Sequence, residues 1–203
     1  EEIYSIIEGE KNNPLFSKNR KNKQFLLWNE GICFFYMKKD KKKALQLMEE
    51  ALEVTKMTNK LIGEKEIEII NSIGIIHSEV SDFNLALDYF NLGLSHFNKL
   101  PFVHDSTIKT KILYNSAVAY TNLNKYEKAI NVSEEGIKWC LDNNSIYLLG
   151  SLYYHIGYNN AFLSNFDSAL KYYNKAILIF DLHNNEKTIE FIKTKIKELN
   201  EKN

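Results

Sequence analysis

The sequence predicts an all-α protein made of stacked helix pairs, and three observations carry the prediction. Short blocks repeat along the chain: Ser72-Ile-Gly-Ile-Ile-His77 with Asp82-Phe-Asn-Leu-Ala86, Phe90 and Gly93; Ser116-Ala-Val-Ala-Tyr120 with Lys125-Tyr-Glu-Lys-Ala129 and Gly136; Ile156-Gly157 with Asn165-Phe-Asp-Ser-Ala169, Tyr173 and Ala176. A degenerate first block carries Trp28, Ala44, Met48 and Ala51. Secondly, one alanine recurs at Ala44, Ala86, Ala129 and Ala169, at intervals of 42, 43 and 40 residues. Thirdly, helix breakers are rare, with 8 Gly and 2 Pro in 203 residues. Gly74, Gly93, Gly136 and Gly157 sit at repeat positions, whereas Pro14 and Pro101 fall between blocks, where a missing N–H harms no helix.

A small residue midway along the first helix of each pair, and two seven apart on the second, let the helices cross with their backbones close. An aromatic at the turn plugs the space beneath. This pattern resembles the tetratricopeptide repeat, a helix-turn-helix unit that buries its apolar face only by stacking. The intervals exceed the roughly 34 residues of the standard unit, so the helices or the joints are extended. The expected architecture is a right-handed α-solenoid of such pairs with a C-terminal capping helix, forming a single domain over residues 1–203.

In chain order, an opening helix covers 1–11 and a Lys/Asn-rich joint with Pro14 runs to 22. Repeat 1 spans 23–58 with helices over 23–38 and 41–58. Repeat 2 spans 64–99, with helices over 64–80 and 83–99. Repeat 3 covers 107–142, with helices over 107–123 and 126–142, and repeat 4 covers 146–182, with helices over 146–163 and 166–182. Asp40, Asp82 and Asn165 stand just before the second helix of their pairs, where a short side-chain oxygen can accept an orphan backbone N–H; Lys125 breaks the pattern. The closing helix, 186–201, places Ile189, Ile192, Ile196 and Leu199 on one stripe and its lysines on the other, as a cap with a polar outer face would.

The charge balance is 26 basic against 26 acidic residues, so no global field points to nucleic acid or an anionic membrane. Two basic runs, Lys18–Lys23 and Lys38–Lys43, lack interleaved aromatics and read as solvated surface. No apolar stretch approaches the ~20 residues that span a bilayer, and no signal-peptide pattern opens the chain. Cys33 and Cys140 fall in blocks that are not neighbours, so they read as buried thiols in a reducing cytoplasm. There is no HExxH, GxSxG, glycine-rich phosphate loop or metal-spaced cysteine pair, and the five histidines show no i,i+4 pairing. The sequence therefore points to a binding module with no catalytic residue, metal or cofactor.

The first helix of each pair would line the concave face. There the sequence offers Asn71, Asn115 and His155 at nearly the same template position. A primary amide can pair with both the C=O and the N–H of one residue in an extended peptide, which makes these three the candidate peptide contacts. Equally, Asn on an exposed helix face of an Asn-rich chain is ordinary.

Several strings, Phe25-Leu-Leu-Trp28, Asn71-Ser-Ile-Gly-Ile-Ile, Leu113-Tyr-Asn-Ser-Ala117 with Tyr126-Glu, and Leu149-Gly-Ser-Leu-Tyr-Tyr-His-Ile-Gly157, resemble the regulatory domain of PlcR-type quorum-sensing transcription regulators, in the group that includes the Rap and Rgg proteins. The resemblance covers essentially the whole chain. It implies that Asn71 and Asn115 hold the backbone of a short signalling oligopeptide, with His155 where a Gln is expected, so that binding could vary with pH near neutrality. It also implies a homodimer, to which the aromatic runs Phe34-Phe-Tyr36 and Tyr153-Tyr154 could contribute, and a DNA-reading helix-turn-helix domain that is absent here and would have to precede Glu1. Two other readings are a stand-alone scaffold that docks a partner protein, and a Rap-like modulator of a response regulator. A scaffold's carboxylate clamp would want fixed positive charge in the groove, where Lys111 is the obvious cation. A Rap-like protein would need an N-terminal helical bundle.

Overall fold

The structure is a computed structural model that describes residues 2–11, 13–14, 18–55 and 62–201. Among these residues there are ten helices and no strands: α1 (Glu2–Glu10), α2 (Arg20–Tyr36), α3 (Lys41–Thr55), α4 (Glu64–Glu79), α5 (Phe83–Phe97), α6 (Thr107–Asn122), α7 (Tyr126–Asp142), α8 (Leu149–Phe162), α9 (Phe166–Leu182) and α10 (Glu186–Asn200). They fall into two compact units, Glu1–Phe102 and Val103–Asn203. In the first, α1 lies against α2, and the pairs α2/α3 and α4/α5 fold back on themselves. In the second, α6/α7 and α8/α9 do the same, α7 packs on α8, and α10 closes on α9.

Three of the four pairs turn in one way, and it is not the way the sequence suggests. Ser81, Asn124 and Ser164 adopt left-handed φ of 64°, 56° and 60°, and Asn184, between α9 and α10, does so at 52°. In each case the next residue donates its N–H five residues back, as in Asp82 to His77 O (2.9 Å), Lys125 to Tyr120 O (2.9 Å), Asn165 to Asn160 O (2.9 Å) and Asn185 to Phe180 O (3.0 Å). The left-handed residue itself donates three back, Ser81 to Ser78 O and Asn124 to Thr121 O. This double closure satisfies the last carbonyls of one helix and delivers the chain straight into the next. Of the three expected side-chain caps only Asp40 forms, accepting from Lys43 N–H at 2.9 Å. Asp82 caps nothing; its Oδ2 lies 3.5 Å from His77 Nδ1 instead. Asn165 likewise gives no cap and donates to Asn160 Oδ1.

Two helix starts also differ from expectation. Helix α2 begins at Arg20, earlier than position 23, because Asn19 Oδ1 accepts from Lys21 and Asn22 N–H at 2.9 and 3.2 Å. Helix α8 begins at Leu149, later than position 146, because Leu148 is held at φ 56° and breaks the helical run. The final residues of the 41–58 helix lie outside the described residues.

The helix crossings sit where the small residues predict. A Cβ built on Gly74 would stand 2.5 Å from Phe90 Cε1, and one on Gly157 would stand 2.7 Å from Tyr173 Cδ1 and 3.1 Å from Ala169 O. One on Gly31 would meet Ala44 O and Met48. Ala117 and Ser133, both fully buried, occupy the same register in the α6/α7 pair. Small on the first helix and large on the second thus go together: Gly31 with Met48, Gly74 with Phe90, Gly157 with Tyr173, and Ala117 with the small Ser133. Phe90, fully enclosed, contributes on the order of 1.5–3 kcal/mol by burial alone.

The aromatic runs are mostly spent on internal packing. Phe34 and Phe35 lie against the core of Ala44, Met48 and Ile73, and Tyr153 and Tyr154 against the α8/α9 cores, leaving Tyr36 as the exposed ring of the first run. Cys33 and Cys140 are both buried and free. Among the described residues no helix is long and apolar enough to cross a membrane.

Candidate functional site

The crossing glycines fix which side chains of each first helix face outward from its pair. Three residues before Gly31, Gly74, Ala117 and Gly157 stand Trp28, Asn71, Tyr114 and Tyr154; two before stand Asn29, Ser72, Asn115 and His155. Asn115 and His155 are therefore true counterparts, whereas Asn71 is one residue, about 100° of helix rotation, out of phase with them. Asn71 is also the more enclosed, although Trp28, Tyr114 and Tyr154 at its own phase are half-buried. Asn71 is only 6% exposed, while Asn29, Ser72, Asn115 and His155 are all half-buried. Counting from the recurring alanines gives the same slip: Asn71 stands 15 residues before Ala86, whereas Asn115 and His155 stand 14 before Ala129 and Ala169.

In the first unit, Asn71 sits on α4 beside a polar lattice. Trp28 Nε1–H donates to Ser72 Oγ (2.9 Å), and Ser72 donates to Glu68 O (3.0 Å). Buried Gln24 donates to Ala51 O, to Thr55 Oγ1 and to Glu66 Oε1. Burial alone would raise the Glu66 carboxyl, but hydrogen bonds from Thr55, Gln24 and Gly63 N–H outweigh it and hold Glu66 below the usual carboxylate range. The two pairs of this unit also bound a cleft of ≈ 810 Å³, walled by Phe25, Leu52, Ile70, Tyr89 and Leu92.

In the second unit, α6, α8 and α10 present one continuous wall. Asn115 and His155 lie on neighbouring helices here, and the ring of Tyr114 meets that of His155 edge-on at 5.2 Å. Fully buried Asn159 ties the two helices together, its Oδ1 accepting from Thr121 Oγ1 at 3.0 Å while its amide donates to His155 O at 2.7 Å. Tyr154 is the hub of a ring cluster, 5.8 Å from His155, 6.0 Å from Tyr158 and 5.9 Å from Phe191 on α10. Burial first, with neighbouring Tyr158 and Tyr114 adding, pushes the Tyr154 phenol up to about 12, so it stays a neutral hydrogen-bonding group at any physiological pH.

His155 lines a cleft of ≈ 430 Å³ with Asn122, Tyr154, Tyr158, Phe191 and Lys195. Burial pushes its imidazole down to about 4, which argues against the titration near neutrality that the sequence suggests. Part of the residue reaches the cleft, yet its Nδ1 is enclosed and has no hydrogen-bond partner. An unfilled lone pair is less costly there than an unpaired N–H, which assigns the proton to Nε2. The cation of this wall is also corrected. Lys111 stands over the Tyr147 ring at 5.8 Å, and Lys195 of the capping helix is the lysine that lines the cleft. Lys195 was invisible as a lining residue because the stripe pattern of α10 assigned its lysines to solvent. Among the described residues no three His, Cys, Asp or Glu side chains gather to hold a metal ion.

Against known structures, the chain is similar to PlcR of Bacillus thuringiensis at 23% identity. The TM-score is 0.83 to its apo form, covering 96% of this chain and 71% of that one, and 0.78 to its complex with the peptide PapR7 and DNA, covering 94% and 67%. Aspartyl phosphate phosphatase F of Bacillus subtilis is similar at 14% identity, with a TM-score of 0.73 over 91% of this chain and 48% of that one. These likenesses show a shared helix-pair fold. No curated protein sequence matches. The sequence model of the RNPP family C-terminal domain matches residues 1–198, and the chain therefore belongs to the RNPP family through that domain.

Proposed function

We propose that this chain is the peptide-sensing regulatory domain of a PlcR-like quorum-sensing transcription regulator, acting in the cytoplasm as a binding module and not as an enzyme. The single observation that carries the reading is the α6/α8/α10 wall. It is an apolar, aromatic-lined cleft with a few fixed polar groups, set on the first-helix face and left open in the free chain. Family membership supports it, as does the fold shared with a PlcR solved with a signalling peptide and with a Rap protein solved with the Competence and Sporulation Factor. Asn115 and His155 are the proposed peptide contacts of the second unit, and Asn71 that of the first. Neutral His155 offers an Nε2–H donor to a peptide carbonyl, while the Asn115 carboxamide can serve both sides of one peptide residue.

Truncating Asn115 to Ala leaves peptide groups unpaired and is expected to weaken binding by roughly 1–3 kcal/mol, about 5- to 150-fold in Kd, to a similar degree for several peptide sequences. Calorimetric titration of hydrophobic-acidic heptapeptides against the parent and Asn115→Ala tests this. Unchanged affinity with an intact helical spectrum places the ligand elsewhere and favours the scaffold reading. We further propose a homodimer whose geometry the peptide alters, and DNA contact only through a helix-turn-helix domain outside these 203 residues. For the peptide to act as a switch it must bind two global states with different affinity. Light scattering that returns only 23.7 kDa, with and without peptide, rejects the dimer.

A further inference from the structure

The His155 cleft does not end at Tyr158. A second cleft of ≈ 270 Å³ lies against it, walled by Phe162, Phe166 and Tyr173, and Tyr158 and Lys195 belong to both. The two form a two-lobed trough between α8 and α10, with one cation at its waist. Three features define what it accepts. Half its rim is apolar and uncovered, since Phe191 is 50% and Phe162 53% exposed, which favours an occupant with an aromatic or large apolar side chain. Among the described residues no Asp or Glu lines the His155 lobe and neutral His155 adds no charge, so the charges of the trough are Lys195, shared by both lobes, and Glu198, which lines the second. Lys195 is drawn over the Phe191 ring at 5.7 Å, and its ammonium is held by Glu198, one turn on, at 2.9 Å. A partly exposed pair of that kind is weak and exchangeable.

We infer that this trough is the subsite for a carboxylate of the bound peptide and for the aromatic side chain next to it, with Lys195 as the charge partner and Glu198 as the internal carboxylate that the peptide displaces. The inference rests on the peptide-binding reading and adds the specificity of one end of the site. The carboxylate comes from the peptide C-terminus or from an Asp or Glu side chain, and the two are separable by experiment.

The probe is a pool of heptapeptides randomised at all positions but the last, which is Phe or Ala. It is made both as free acid and as C-terminal amide, and captured on the immobilised 203-residue chain with readout by mass spectrometry. The parent is expected to enrich acid over amide, or Asp/Glu-containing over Asn/Gln-containing sequences, by about 3- to 10-fold, and Phe over Ala at the last position. Lys195→Gln brings the carboxylate preference to near one while retaining the aromatic preference. Glu198→Gln raises the carboxylate preference, a gain that a merely structural role for the pair would not produce. Peptides that are retained, weakened by Asn115→Ala, and indifferent to Lys195→Gln in both carboxylate arms overturn the subsite while leaving the peptide reading intact. If the chain captures no peptide at all, the peptide reading fails and the subsite falls with it.

Discussion

The buried cluster between α3 and α4 in the first unit is aliphatic, whereas the one among α8, α9 and α10 in the second is centred on a tyrosine. Ile69, Ile73, Ile76, Met48 and two alanines fill the space between α3 and α4, whereas the α8/α9/α10 core is built on Tyr173, with Tyr153, Tyr154, Tyr158, Phe166 and Phe180 packed around it. Aliphatic side chains present nothing polar to their surroundings and can be enclosed outright. A tyrosine buries a ring but must bring its hydroxyl to a partner or to water. A core of that kind therefore reaches outward, and the second unit turns one edge of its core into a ring-lined wall. In the first unit, buried Gln24 finds its partners within a side-chain lattice with Thr55 and Glu66. Where structure and ligand surface share the same rings, as at Tyr154 and Tyr158, changes at the site are expected to touch stability as well.

The contrast can be tested by substitution. Phe90→Ala removes an enclosed ring from the first unit and is expected to cost about 3–5 kcal/mol by denaturant titration. An appreciably smaller loss means the Gly74 crossing closes over the space the ring leaves. Gly157→Leu overpacks the second unit and should cost roughly 1–3 kcal/mol. The paired change with Tyr173→Ser should recover part of that loss, since Ala117 and Ser133 already use the small-on-small solution; additive losses in the double variant would break the complementarity argued from the crossings.

The asparagines separate the units next. Asn71→Ala, at an enclosed position, should lower stability by about 1 kcal/mol, whereas Asn115→Ala, half-buried, should leave it nearly unchanged and act on peptide affinity. Equal stability losses would erase the phase difference between them. A further test concerns pH. Because His155 binds its proton only near 4 when folded, against 6.5 as a free side chain, the unfolded chain holds more protons between those values, and acidification across that window destabilises the fold. His155→Gln should flatten that part of the stability profile. Peptide affinity should be insensitive to His155 ionisation between about pH 5.5 and 7.5, and a histidine-dependent step there would contradict the burial of the ring.

The helices were legible because Gly74, Gly157 and the recurring alanines leave a steric signature that few other folds require. The turns were less so. Side-chain caps at Asp82 and Asn165 are a reasonable expectation from residue type, but a left-handed residue just before each of them already closes the preceding helix through the backbone. Of the candidate site, Asn115 and His155 could be placed on one face from spacing. Asn71 stands one residue out of that spacing, and its enclosure is set by the packing around it in the structure. Lys195 was hidden by a sound rule wrongly extended, since an amphipathic helix that caps a stack has edges as well as faces, and its edge toward α8 is where the lysine lies.

The turn between α2 and α3 differs from its counterparts in a way that bears on how such chains change length. Lys39 holds the same left-handed conformation, φ 56°, but the following N–H reaches six residues back, from Asp40 to Phe34 O at 3.1 Å. One extra residue has been absorbed there, and Gly31 still meets Ala44 O as Gly157 meets Ala169 O. Insertions and deletions within a pair are thus neutral to its crossing when they fall in the hairpin. The same length change inside a helix would swing every outward-facing side chain beyond it around the axis and scramble the ligand wall. Relatives of this chain are accordingly expected to vary in length at the hairpins and the joints between pairs, and aligning their first helices on the crossing glycine, not on the residue count, will bring equivalent wall positions together.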